Sequence, residues 1–146
     1  MKTVRDRDLS RMVVDLRGNT GGSEALVNKL IDALCKEPRL RGHGHLLALI
    51  DGGVFSAAAV AAWRLRQDAG AILVGESCGA GPNHVGAVAD IQLPSGRIAS
   101  FGTEIHIIDA RNPDDFSSPI RPDLAVHLTH ADVLVGSDPV LDAALR

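Results

Sequence analysis

Three short apolar runs, each closed by glycines, constrain this chain more than any other feature. They are Met12-Val13-Val14-Asp15-Leu16 before Gly18-Asn19-Thr20-Gly21-Gly22, His45-Leu46-Leu47-Ala48-Leu49-Ile50 before Asp51-Gly52-Gly53, and Ala71-Ile72-Leu73-Val74 before the turn Gly75 to Pro82. Runs of four to six apolar residues bounded by turn signals read as strands buried on both faces. The segments between the runs have helical character. Leu26, Val27, Leu30, Ile31 and Leu34 recur at three- and four-residue spacing after Ser23 and stop at Pro38, which predicts a core-facing helix of about three turns. The alanine-rich stretch from Ser56 to Trp63 has high helix propensity and ends at Gly70. Alternating strands and helices imply an α/β core.

The pattern changes from Val85 onward. Short strands with turns at Leu93-Pro94-Ser95-Gly96 and at Phe101-Gly102 predict an antiparallel appendage, and Asp138-Pro139 should open a final helix as N-cap and first position. The 146 residues suffice for one domain, and 45% hydrophobic residues supply its core. With a net charge of −3 and only Phe55, Trp63, Phe101 and Phe116 as aromatics, the chain lacks the basic, ring-bearing surface of a nucleic-acid binder. Cys35 and Cys78 make no disulfide framework and read as buried thiols. Residues 1–8 carry no apolar run of the signal-peptide type, and no stretch reaches the roughly 20 apolar residues of a membrane span. As written, the sequence is expected in the cytoplasm.

Ser56 stands where a buried strand turns through glycines into a helix. That position suits an exposed nucleophile with free helical N–H groups beside it, and it equally suits an ordinary serine N-cap. The Gly18 to Gly22 turn is no P-loop, because no Lys-Ser or Lys-Thr follows it, but its N–H groups could serve as oxyanion donors. The His43-x-His45 pair could hold zinc only with further ligands, and no Cys or carboxylate stands near it in sequence, so neither a metal site nor a cofactor is expected. His84, after the third glycine turn, is either a general base for Ser56 or a surface histidine capping a turn.

Taken together, Val14-Asp15-Leu16-Arg17-Gly18-Asn19-Thr20-Gly21-Gly22, Asp51-Gly52-Gly53-Val54-Phe55-Ser56-Ala57-Ala58-Ala59, Val74-Gly75-Glu76, and the tail Arg121 to Val126 with Gly136 to Leu141 resemble the carboxyl-terminal processing (tail-specific) proteases, whose relatives include the tricorn core peptidase. The resemblance implies a crotonase/ClpP-like spiral of strand-helix units and serine peptidase chemistry on a peptide or protein substrate. It places the nucleophile on Ser56 and the oxyanion donors on the backbone of Ala57 and of Gly21 or Gly22. The best-known members carry a lysine in the turn after Val-Gly-Glu, where this chain reads Ser77-Cys78-Gly79-Ala80-Gly81, and its three lysines all precede Ser56. Gly81-Pro82-Asn83-His84-Val85-Gly86 instead resembles a lysine-free branch, which puts His84 forward as base or substrate contact, with Glu76 and Glu104 as candidate orienting acids.

Because that family's catalytic domain usually begins well before the Asp-Leu-Arg strand, residues 1–146 are expected to represent a partial domain, lacking its amino-terminal portion and any PDZ or cap segments. A homo-oligomer or a complementing amino-terminal segment is therefore also expected. The rival from a different class is a catalytically silent peptide- or ligand-binding module of the same fold. Acyl-CoA chemistry on that scaffold ranks last, since nothing in the sequence resembles a CoA site.

Overall fold

The computed structural model describes Leu9 and residues 11–146; residues 1–8, where the sequence shows no leader-like run, lie outside the described residues. Strand β1 (Met12–Asp15) is followed by helix α1 (Glu24–Cys35), a 3-10 turn (Pro38–Leu40), β2 (Leu46–Ile50), α2 (Ala57–Ala69) and β3 (Ile72–Gly75). The hairpin β4 (His84–Gln92) and β5 (Ile98–His106), the two-residue β6 (Leu124–Ala125), α3 (His130–Val135) and α4 (Pro139–Leu145) complete the fold. Strands β1, β2, β3 and β6 form one parallel sheet in that order, with Met12 opposite Leu46, Leu47 opposite Ile72 and Val74 opposite Leu124. The hairpin is a separate antiparallel pair.

All five residues of β2 are buried, because helices cover both faces of the sheet. Leu46, Ala48 and Ile50 face α1 and α2, in one cluster with Ile31, Leu34, Ala58, Ala62 and Leu65. Leu47 and Leu49 face the other way, packing with Val74, Val140 and Ala144 under α4. Alanines on α2 let that helix approach the sheet closely. Gly75 is required for an equally close approach at the end of β3, since a Cβ there would sit 2.2 Å from the Ile50 carbonyl oxygen. Cys78 is buried as expected, and burial pushes its thiol up to about 12; Cys35 is only half-buried. Among the described residues, no helix is long and apolar enough to cross a membrane.

Four details depart from the sequence reading. Among the described residues β1 lies at the edge of the sheet, so Met12, Val13 and Val14 are half-buried and Asp15 is exposed, where a strand buried on both faces was expected. The apolar stripe of α1 is wider than its contact: Ile31 and Leu34 are buried with Val27 against them, whereas Leu26 and Leu30, on the adjoining line of the helix, are 68% and 50% exposed. The expected turn at Phe101-Gly102 does not form, and both residues lie within β5. Gly102 serves close strand packing instead, as a Cβ there would meet Val85 Cγ1 at 2.7 Å. Finally, the carboxyl-terminal part is not wholly antiparallel, because β6 joins the main sheet parallel to β3 and α4 seals its second face. The last helix does start at Pro139, with the Asp138 side chain accepting from Leu141 N–H at 3.0 Å.

Candidate active site

The site lies beyond the carboxyl ends of the parallel strands, where open α/β sheets commonly hold their ligands. Three glycine turns meet there and are tied together by their backbones. The turn after β1 and the turn after β2 share the Asp51 carboxylate, whose Oδ1 accepts from Gly18 N–H at 3.0 Å and Gly53 N–H at 2.9 Å. Phe55 N–H donates to the Asn19 carbonyl at 3.1 Å, and Gly79 N–H, from the turn after β3, donates to the Val54 carbonyl at 3.0 Å. A clasp on the far side of the first turn fixes its origin: Arg17 forks between Asp15 (2.7 Å) and Asp138 (2.8 Å). Hydrogen bonding to Arg17 holds Asp138 down at about 2 and lowers Asp15 as well.

Ser56 sits at the crossing of these turns in an uncommon backbone conformation, φ 51° and ψ −130°, which a residue with a Cβ adopts only when its surroundings impose it. Its side chain makes no capping bond to α2, so it does not do what an N-cap serine does. Gly21 lies directly against it: a Cβ on Gly21 would fall 2.7 Å from Ser56 Cβ and 3.2 Å from Ala57 N. Only glycine fits there. The Gly21 N–H is engaged by Asn19 Oδ1 at 3.0 Å, whereas Gly22, at φ 138°, has open space around its α-carbon. Ala57 is the first residue of α2, so its N–H has no partner within the helix.

His84 opens β4 and is 8% exposed. Its Nδ1 is 3.2 Å from the Pro82 carbonyl, a contact that places the hydrogen on Nδ1 and leaves Nε2 as the acceptor. The preceding Asn83 is the fixture that holds this strand end. Fully buried, it donates to the Asn112 (2.8 Å) and Asp115 (3.3 Å) carbonyls and accepts from Ile108 and Asp109 N–H at 2.9 and 2.8 Å. A half-open depression beside it is lined by Phe55, Ala80, His84, Val85, Phe116 and Pro119. Phe55, the residue preceding Ser56, forms one wall of this depression and His84 another.

Two side chains that the sequence did not single out stand next to His84. His106 is its cross-strand partner in the β4–β5 ladder, with the rings stacked at 5.0 Å and 3°. Glu24, the first residue of α1, brings Oε1 to 3.6 Å from His106 Nδ1. Of the candidate acids, Glu76 meets His127 at 3.2 Å, and Glu104 stands beside the histidine pair, 3.9 Å from His106 Nε2. His45 turns to the Arg39 carbonyl. His106 could have been found by counting outward from the Pro94-Ser95-Gly96 turn, which sets Gln92 opposite Ile98 and therefore His84 opposite His106. Glu24 gave no signal beyond an acid in a helix's first turn.

No family model matches this chain, and no curated protein matches it by sequence. Solved structures do resemble it. A presumed peptidase from Parabacteroides merdae matches with a TM-score of 0.71 at 19% identity, over 98% of this chain and 53% of that one. A presumed S41 protease from Bacteroides fragilis matches with a TM-score of 0.66 at 16% identity, over 98% and 46%. A photosystem II D1 C-terminal processing protease matches with a TM-score of 0.53 at 15% identity, over 86% and 36%. The chain thus shares the α/β fold of these proteins and spans about half the length of the first two, or less of the third.

Proposed function

We propose that this chain carries the serine peptidase chemistry of the carboxyl-terminal processing proteases, in a lysine-free form, on their crotonase-like core. The observation that supports this most is the conformation of Ser56: positive φ, no capping bond, and a glycine pressed against its β-carbon. Backbone strain of this kind is retained where it aims a reactive group. The match in fold to two presumed peptidases and a processing protease points the same way.

In this reading Ser56 Oγ attacks the scissile carbonyl of a peptide while His84 Nε2 takes the hydroxyl proton. The resulting oxyanion is held by the N–H groups of Ala57 and Gly22, one aligned with the dipole of α2. Gly21 contributes by its lack of a side chain, since Asn19 holds its N–H. When the tetrahedral intermediate collapses, His84 returns the proton to the leaving amine, and water then hydrolyses the acyl-serine by the same route in reverse. Phe55, Val85 and Phe116 offer apolar contact to a substrate side chain in the adjoining depression.

Intact mass after incubation with a fluorophosphonate tests this without a known substrate. One adduct per chain is expected, absent in Ser56→Ala and formed at least about 100-fold more slowly in His84→Ala, within the range ascribed to general bases. Folded protein that takes no label would point to the silent binding module of the same fold.

A further inference from the structure

The cluster beside His84 has the composition of a metal centre. Glu24, His84 and His106 each offer a ligand atom, and these atoms lie within 4.8 Å of one another. The three come from α1, β4 and β5, so tertiary folding rather than sequence adjacency assembles them. We infer that this cluster is a binding site for a divalent transition-metal ion of the zinc class.

Two imidazoles and one carboxylate are the donors such ions prefer, whereas magnesium and calcium favour oxygen donors alone. His84 is prepared as a ligand in the way metal-binding histidines usually are. Its Nδ1–H points to a backbone carbonyl, which fixes the ring and leaves the Nε2 lone pair available. Tetrahedral zinc with bonds of about 2.1 Å sets its ligand atoms about 3.4 Å apart, so the ligand atoms must close by at most about 1.4 Å, and the His106 ring, now stacked at 3° to that of His84, must turn out of the stack to aim its in-plane lone pair at the ion. The mostly buried His84 can stay in place while Glu24 and His106, with side chains 34% and 28% exposed, rotate toward it. Three protein ligands leave a fourth position for water. Glu104, 3.9 Å from His106, is free to contact a water there.

Occupancy has a consequence that rests on the proposed peptidase reading. The lone pair that would accept the Ser56 proton is the one that would bind the ion, so zinc and base catalysis compete for His84.

The experiment titrates zinc into the metal-free chain against a chromophoric indicator, for wild type, Glu24→Gln, His106→Ala and His43→Ala, each first checked for an unchanged melting temperature without metal. One zinc per chain is expected, weakened at least about 10-fold by Glu24→Gln and by His106→Ala, and unaffected by His43→Ala. No saturable site in folded wild type, or binding unchanged in both Glu24→Gln and His106→Ala, overturns the site. Fluorophosphonate labelling is then read with and without saturating zinc. Labelling that zinc suppresses upholds both the site and the role of His84. Zinc binding that obeys the variants but with no labelling in either state upholds the site and overturns the peptidase reading. Labelling that His84→Ala slows but bound zinc leaves unchanged overturns the placement of the ion on His84, whereas labelling indifferent to both zinc and His84→Ala overturns the base role of His84 and leaves the site to be judged by the Glu24 and His106 variants.

Discussion

Replacing Ser56 separates a capping serine from a strained one, because the two roles predict opposite signs for the stability of Ser56→Gly relative to wild type. If Ser56 were an ordinary N-cap, Ser56→Ala would cost about 1 kcal/mol and Ser56→Gly only a few tenths. The side chain makes no such bond, so Ser56→Ala should fall within about 0.5 kcal/mol of wild type. Its φ of 51° is another matter. Holding a non-glycine residue in that region costs on the order of 1–3 kcal/mol, and glycine removes the penalty while adding about 0.4–1 kcal/mol of unfolded-state entropy. Ser56→Gly should therefore be more stable than wild type by about 1 kcal/mol, which for a domain of this size is a rise of about 2–4 °C in melting temperature. Urea denaturation with a common m-value, supported by thermal scans, would measure all three proteins. A loss of about 1 kcal/mol in Ser56→Ala with no gain in Ser56→Gly would refute the strain argument and restore the capping role.

Two further outcomes follow from the supports of the site. Asn83→Ala strands two buried N–H groups and two carbonyls that now meet its side chain, and should cost about 2–4 kcal/mol; limited proteolysis should then cut first within residues 107–119, and an unchanged melting temperature would contradict the fixture described. The Arg17 clasp predicts acid sensitivity. Asp138 titrates at about 2 in the folded chain, below its unfolded value of about 3.9, so its contribution is complete above about pH 4 and is lost as pH falls toward 2. Asp138→Asn should lower the melting temperature at pH 6 and converge with wild type near pH 2; equal melting temperatures at pH 6 would count against the clasp.

Local physics made much of the framework legible. The three strands, both main helices and the Asp138-Pro139 helix start follow from apolar runs, helical spacing and capping chemistry, all of which act between residues close in sequence; that β1 would be only half-buried, at the sheet edge, was not legible in this way. The same is true of the elbow at Ser56, since a strand closed by glycines and followed by alanines leaves little other geometry. Features that depend on distant partners were not legible. Whether Leu26 and Leu30 were covered depended on the reach of the sheet, and whether Gly102 turned or paired depended on Val85.

The site divides along the same line. Sequence alone determined that the Gly21-Gly22 pair would lie on a turn leaving a strand, and that Ser56 and Ala57 would stand where a strand passes through glycines into a helix, because turn chemistry and helix propensity put them there. Only the tertiary structure decided that Gly21 packs on Ser56 while its N–H closes on Asn19, that Glu76 faces His127, and that Glu24 and His106 converge on His84. Those outcomes depend on side-chain distances of a few ångströms between elements up to about 80 residues apart in the chain, and no local propensity encodes a distance of that kind.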